Sequence, residues 1–402
     1  MYLNRAALHE ITSVARHRLS LRRSLTWLVY AILFYSIRGV LGAVRWIDDR
    51  LWPEIADQKI ERPVFIFGNA RSGTTLLHRL MSLDEEHFTS MKLYQSIFCA
   101  VCVRRSVEAL DRLDRRLPGR PLRRGVKLFN RLVFSGWGGI HEMGIDQAEE
   151  DEAVFGLTLM TPSVVLLLPY LDELPGVAAF DTLPAEERRG FMDFYEDTLR
   201  RHLHASGGQR AFLNKNALFA PRLRSMFERF PDARFVYLVR HPFDAIPSFL
   251  SMFHAKWSSH SPEIGTDSPE ARALARLAID YYRCALDCRK FIPEEQFITV
   301  RYDELVANPR DSIEKLYRRL GLAVGEPFRA RLEGELAAQE SYSSGHRYSL
   351  EEFGLCEEEV FGELKDIFTE FGFDPPQRCD DPDVHDFGAR ATRPRETESV
   401  DP

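Results

Sequence analysis

PVFIFGNARSGTTLLHRLMSL, residues 63–83, is an apolar strand that runs into a glycine-bounded polar loop and out into an amphipathic helix. Successive backbone N–H groups of such a loop, Gly68-Asn69-Ala70-Arg71-Ser72-Gly73-Thr74-Thr75 here, point into one concavity. The N-terminus of the following helix adds the positive end of its dipole, so the stretch is built to bind an anion. A glycine turn that merely packs a helix on a strand is the plainer alternative, but Arg71, Ser72, Gly73, Thr74 and Thr75 are dense in anion donors. Gly68 and Gly73 have the spacing of GxxxxGK[ST], with Thr74 standing where the lysine belongs.

Outward from this stretch, short β-branched or aromatic runs alternate with amphipathic helical ones, the pattern of a parallel sheet with helices packed on it. Strands are predicted at 64–68, 211–213, 234–239 and 296–301. Helices are predicted at 74–82, 221–230, 243–253, 269–291, 303–320 and 350–371, the last with Phe353, Val360, Phe361, Leu364, Phe368 and Phe371 recurring at near-helical spacing as core. About 140 residues separate the first two strands, far more than a crossover needs, so a helical insertion over about 84–210 is expected to build the acceptor side. The predicted fold class is α/β: a P-loop NTPase-like parallel sheet flanked by helices, with that large helical insertion and an N-terminal helical extension. The expected organisation is an extension over 1–52, a catalytic domain over 53–374 and a disordered tail over 375–402.

The extension has a basic start (Arg5, Arg16, Arg18, Arg22, Arg23), then the apolar run LTWLVYAILFYSI at 25–37. Arg38 and Arg45 interrupt the continuation of this run, and the uninterrupted part is shorter than the roughly 20 residues of a membrane span. A helix lying in a membrane interface is favoured over a span, with a packed lid helix as the third reading. No small-residue cleavage site comes after it, so a secretory signal is not expected. The chain carries 53 Lys and Arg against 60 Asp and Glu, a net charge of −7, which gives no reason to expect nucleic acid. Residues 104–131 are nevertheless locally basic. Six scattered cysteines cannot staple 402 residues, which fits a reducing, cytoplasmic location, peripheral to the inner face of a membrane. Cys99 and Cys102 sit in the apolar run SIFCAVCV as small hydrophobes, and no metal is expected.

The missing lysine discriminates between donors. In nucleoside-triphosphate enzymes that lysine reaches the β/γ-phosphates, and the next hydroxyl holds Mg²⁺. A 5′-phosphosulfate carries less charge and needs fewer cations, which Arg71 can supply. A second stretch, FLNKNALFAPRLRSMFERFPDARFVYLVRHPFDAIPSFLSMF at 212–253, ends a strand at Arg240 and starts a helix that presents Ser248. An arginine at the carboxyl end of a parallel strand lies where α/β sheets bind ligands, and it pairs well with a phosphate. Two separated anion sites suit one ligand with both a 5′-phosphosulfate and a 3′-phosphate.

With both motifs in this order, the chain resembles the sulfotransferase family that uses 3′-phosphoadenosine 5′-phosphosulfate (PAPS), particularly its bacterial members and the tyrosylprotein type. The resemblance is close over 62–90 and 211–253 and looser over 296–372. It implies that Arg71-Ser72-Gly73-Thr74-Thr75 is the 5′-phosphosulfate loop and that Arg240 with Ser248 forms the 3′-phosphate site. It further implies that Lys215 stabilises the sulfuryl transition state, that Tyr302 lies near the 3′-phosphate, and that His346-Arg347 belongs to a segment closing over the nucleotide. One departure stands out: the tyrosylprotein type has a glutamate base about twenty residues after the loop arginine, where this chain reads Ser90-Met91-Lys92-Leu93.

The base must therefore lie elsewhere. GGIHEMGIDQAEEDEAVFGL at 138–157 offers both a histidine and carboxylates, and it is similar to a segment of the bacterial members. Glu150 shares a helical face with Val154 and Leu157, while Glu149 and Glu152 complement the helix N-terminus; His141 and Glu150 stand level as candidates. The expected acceptor is a hydroxyl compound, with lipid or another amphiphile favoured by Trp27, Phe34, Trp46, Phe129 and Trp137 as much as ordinary packing is. Acceptor identity and oligomeric state are not legible. A P-loop kinase or other nucleoside-triphosphate enzyme, and a non-catalytic membrane-associated scaffold, are the competing readings.

Overall fold

The computed structural model describes residues 1–18, 20–134, 144–178, 180–339 and 348–376. The chain opens with helices α1 (Arg5–His17) and α2 (Leu21–Leu51), then strand β1 (Val64–Gly68), α3 (Thr74–Met81) and the two-residue strand β2 (Phe88–Thr89). A helical stretch comes next: α4 (Leu93–Ile97), α5 (Val101–Asp114), α6 (Pro121–Phe134), α7 (Glu152–Gly156), α8 (Pro175–Ala178) and α9 (Ala185–Ala205). It leads into β3 (Ala211–Asn216), α10 (Leu223–Arg229), β4 (Arg234–Val239), α11 (Pro242–His260), α12 (Pro269–Cys288) and β5 (Phe297–Arg301). The carboxyl-terminal part contains α13 (Tyr302–Ala307), α14 (Pro309–Leu320), α15 (Glu326–Gln339), α16 (Glu357–Glu363) and α17 (Lys365–Phe371).

The strands form one parallel sheet in the order β2-β3-β1-β4-β5, with β1 in the middle. Its residues alternate between two cores. Val64 and Ile66 join Leu213, Val236 and Ile298 against Leu77, Leu80 and Ile313. Phe65 and Phe67 join Phe212, Phe235 and Tyr237 against Ala245, Leu274 and Tyr282. Burial on both faces explains why β1 and β4 read as unbroken apolar runs, and the α/β class follows from it.

Three local expectations change. β3 runs on through Asn214, Lys215 and Asn216, all nearly fully buried, past the predicted end at 213. The predicted 303–320 helix breaks at Asn308, whose φ of −140° and ψ of 70° lie outside the α region that the following Pro309 disfavours, so α13 and α14 are separate. The predicted 350–371 helix is a short turn followed by α16 and α17, with Gly354 in the left-handed region at φ 62°; Phe353, Val360, Leu364 and Phe368 are nonetheless core.

At the N-terminus Arg38 and Arg45 do not interrupt the helix; they turn inward. Arg38 reaches the backbone oxygen of Tyr2 at 3.0 Å, and Arg45 is buried against Thr198 Oγ1 at 3.0 Å and ion-paired with Asp197. α2 thus runs unbroken for 31 residues, and an 18-residue window of it, mean hydropathy 1.7, is long and apolar enough to cross a membrane.

Candidate active site

The glycine-bounded loop needs its glycines for contact and for conformation. A Cβ at Gly68 would lie 2.3 Å from the Leu238 backbone oxygen, and one at Gly73 would lie 2.7 Å from Tyr302 Cδ2. Gly73, at φ 85°, caps α3. Arg71 also has a positive φ, 70°, rare for a side chain of this size and a common mark of functional loops. The loop is tied to the large core by Asn69, whose side-chain amide donates to the Ala278 carbonyl at 2.8 Å.

The second anion motif is fastened onto this same loop. Arg71 Nε donates to Ser248 Oγ at 3.2 Å, and Arg240 Nη1 donates to the Arg71 carbonyl at 2.9 Å. Arg240 lies at the carboxyl end of β4, its carbonyl accepting from the Tyr282 hydroxyl at 2.7 Å, and its guanidinium stacks 4.5 Å from the Tyr302 ring centroid. Arg71, Arg240, Ser248 and Tyr302, read from three separate stretches, therefore form one cluster. Ser72 Oγ and Arg240 Nε are buried and make no hydrogen bond within the described residues, two polar atoms suited to an anion.

Beside the loop, the pairing of Ile66 with Lys215 brings the end of β3 to the start of α3. Lys215 is only 1% exposed, and its Nζ donates to Thr75 Oγ1 at 3.1 Å and forms an ion pair with Glu150. Glu150 is thus beside Lys215, but not for the helical-face reason: it precedes α7 in an extended segment, held by Glu149 N donating to the Met91 carbonyl at 2.9 Å. Glu152 opens α7, as expected, but its carboxylate is taken up by side-chain partners. It is half-buried and accepts from Asn216 Nδ2 at 2.9 Å and from the Thr161 hydroxyl. Asn216 also donates to Asp151, whose other oxygen accepts from Tyr195 at 2.5 Å. Burial pushes the Asp151 and Glu152 carboxyls up. These bonds clamp residues 151–152 to the end of β3, and that clamp sets Glu150 on Lys215.

His141, His346 and Arg347 lie outside the described residues. Another histidine borders Lys215: His78 of α3, held down to about 3 by burial and then by the lysine charge, and therefore neutral. Sequence reasoning missed the buried Asp151–Tyr195–Asn216 network. The signal for it was four consecutive acidic residues inside an apolar neighbourhood, a pattern a solvated helix start does not require.

Glu149 is pushed up to about 7, first by burial and then by Glu150, against the pull of Lys215. A raised carboxyl binds a proton in the folded state that the unfolded chain has already released, so stability falls as pH climbs from the ordinary carboxylate range to about 7. A shift of that size corresponds to about 2–4 kcal/mol. Glu149→Gln is expected to gain stability over the native chain at about pH 8 relative to about pH 5, measured by urea unfolding; an equal difference at both pH values would show Glu149 to be unstrained.

Fold and site together have the form of a P-loop-like nucleotide-binding fold whose phosphate loop lacks the lysine. A family model described as the sulfotransferase family matches residues 171–326. The omega-hydroxy-beta-dihydromenaquinone-9 sulfotransferase Stf3 of Mycobacterium bovis is 24% identical over 327 residues, 78% of this chain and 75% of that protein. Sulfotransferase STF1 from Mycobacterium tuberculosis is 20% identical with a TM-score of 0.66, over 90% of this chain and 92% of its own. Sulfotransferase STF9 from Mycobacterium avium is 19% identical with a TM-score of 0.67, over 85% and 86%. These two likenesses establish a shared fold. The match to the sulfotransferase family over 171–326 and the Mycobacterium bovis relative support reading the chain as an enzyme, a sulfotransferase. The nucleoside-triphosphate and scaffold readings are thereby set aside.

Proposed function

We propose that this sulfotransferase takes its sulfuryl group from PAPS and passes it to the hydroxyl of a lipid-like acceptor. The observation that carries the donor is the fastening of Arg240 and Ser248 onto the Arg71 loop, which suits one ligand with two anionic ends. Backbone N–H groups of the loop and the Arg71, Ser72, Thr74 and Thr75 side chains would hold the 5′ end. Arg240, Ser248 and Tyr302 would hold the 3′-phosphate, and His346 and Arg347 would close over the nucleotide. The acceptor class is supported by the Mycobacterium bovis relative, whose name states a hydroxylated menaquinone.

The donor supplies the sulfuryl group, which goes to the acceptor oxygen as adenosine 3′,5′-bisphosphate leaves. Lys215 places its ammonium beside Thr75 at the start of α3, where negative charge on the transferring group would be met. Glu150 takes the acceptor proton. Its carboxylate is ion-paired with the Lys215 ammonium, so the proton acceptor and the charge facing the transferring group are side by side.

Calorimetric titration tests the donor. Adenosine 3′,5′-bisphosphate is expected to bind without Mg²⁺, and Arg240→Ala to weaken it at least about tenfold through loss of a charge-assisted contact of about 1.5–3 kcal/mol. Tighter binding of ATP–Mg²⁺, or an unchanged affinity in Arg240→Ala, would overturn the assignment.

A further inference from the structure

Two features outside the active site call for a common explanation. The first is the outer face of α2. Leu25, Leu28, Ile32, Leu33 and Val40 are each more than half exposed, and no exposed residue between Leu25 and Ile47 carries a charge. At 1.5 Å per residue that uncharged face is about 35 Å long, more than a water-facing helix normally leaves bare. The second is the α5–α6 hairpin, which exposes Leu110, Leu113, Leu117, Leu122, Leu128 and Leu132. Over residues 104–131 it has ten Arg and Lys against three acidic residues, in a chain whose net charge is −7.

The three helices are locked together. Asp48 of α2 accepts from the Val101 and Cys102 backbone N–H groups at 2.6 and 2.9 Å and so caps α5; Asp114 of α5 accepts from Leu122 N and Arg123 N at 2.8 and 3.1 Å and caps α6. All three acids of the hairpin are engaged, Glu108 with Arg104 and Asp111 with Arg115, while Arg112, Arg116, Arg123, Arg124, Lys127 and Arg131 stay exposed. The far end of α6 adjoins the active site: Asn130 Oδ1 accepts from Ile145 N at 3.1 Å, in the segment that leads to Glu150.

We propose that the outer face of α2 and the α5–α6 hairpin form one membrane-docking surface that seats the enzyme on an anionic phospholipid bilayer. Apolar side chains would enter the headgroup boundary, and the arginines would meet anionic headgroups. This places the protein at the inner face of a membrane, where anionic lipid is concentrated. A transmembrane arrangement is disfavoured because α2 is tied to the catalytic domain by buried Phe34, Leu41, Arg45 and Asp48. A second copy on the same face is disfavoured by the like charge of two hairpins brought together. The surface is argued from its own chemistry and does not depend on the acceptor assignment.

Vesicle co-sedimentation of the full-length chain tests it. Binding to vesicles of phosphatidylcholine with about one-third phosphatidylglycerol is expected to exceed binding to phosphatidylcholine alone at least about tenfold, and to fall as salt rises from about 0.1 to 0.5 M. Ile32→Asp, and separately Arg123→Glu with Arg124→Glu, are each expected to weaken it at least about tenfold while adenosine 3′,5′-bisphosphate binding, the check on folding, is kept. Sedimentation that ignores anionic lipid, or is unchanged in both variants, would overturn the proposal. So would pelleting that resists both salt and carbonate, which would make α2 a span. A dimer in light scattering that Ile32→Asp turns into a monomer would make the face a contact between copies and also overturn it.

Discussion

Lys215→Ala is expected to lower kcat by about 10²-fold or more while leaving the dissociation constant of adenosine 3′,5′-bisphosphate nearly unchanged. The ammonium is fixed by Thr75 Oγ1 at 3.1 Å and by Glu150, away from the Arg240–Tyr302 stack. On the proposed reading its charge faces the group in transfer and not the 3′-phosphate. Removing one member of a buried ion pair costs about 3–5 kcal/mol when the other charge is stranded. Glu150 keeps 21% side-chain exposure, so water can still reach it and the loss of stability should lie below that range. Lys215→Met, which keeps the stem, serves as the packing control. Single-turnover rates beside bisphosphate titrations decide the matter: parallel losses in rate and affinity would assign Lys215 to donor binding.

The sheet was legible because β1 and the stretch of β4 from Phe235 to Val239 are buried on both faces and therefore carry no charged residue. The end of β3 was not, since Asn214, Lys215 and Asn216 are polar and buried for the site's sake and mimic a loop in composition. β2 is two residues long, too short for any periodicity to show. The two anion motifs were visible as local patterns of donors around turns. Their union through Arg71, Ser248 and Arg240 is a contact across some 170 residues that no window in the sequence contains. The acidic run at 149–152 was visible as charge, but burial decides its chemistry. Helix spacing put Glu150 on a packed face, whereas its place comes from the pairing of 147–149 with 91–93 and from the Asn216 clamp. In α2 the arginines looked like interruptions because a linear reading cannot tell an inward arginine from an outward one.

The clamp makes Glu150 the residue on which the proposed mechanism can be decided. Glu150→Gln keeps the length of the side chain and an oxygen that can accept from Lys215 Nζ, so the lysine should stay in place. What is lost is the ability to take a proton, which for a general base corresponds to about 10²–10⁴-fold in kcat. If Glu150 only positions Lys215, the glutamine variant would retain most of the native rate, which returns the base to His141. The double variant sharpens the distinction. Two groups acting in one proton-and-charge exchange should give losses far from additive, so Lys215→Ala in the Glu150→Gln background should cost much less than about 10²-fold. Full additivity would mean that the ion pair joins two independent functions, and the proposal that Lys215 and Glu150 act as one unit would have to be abandoned.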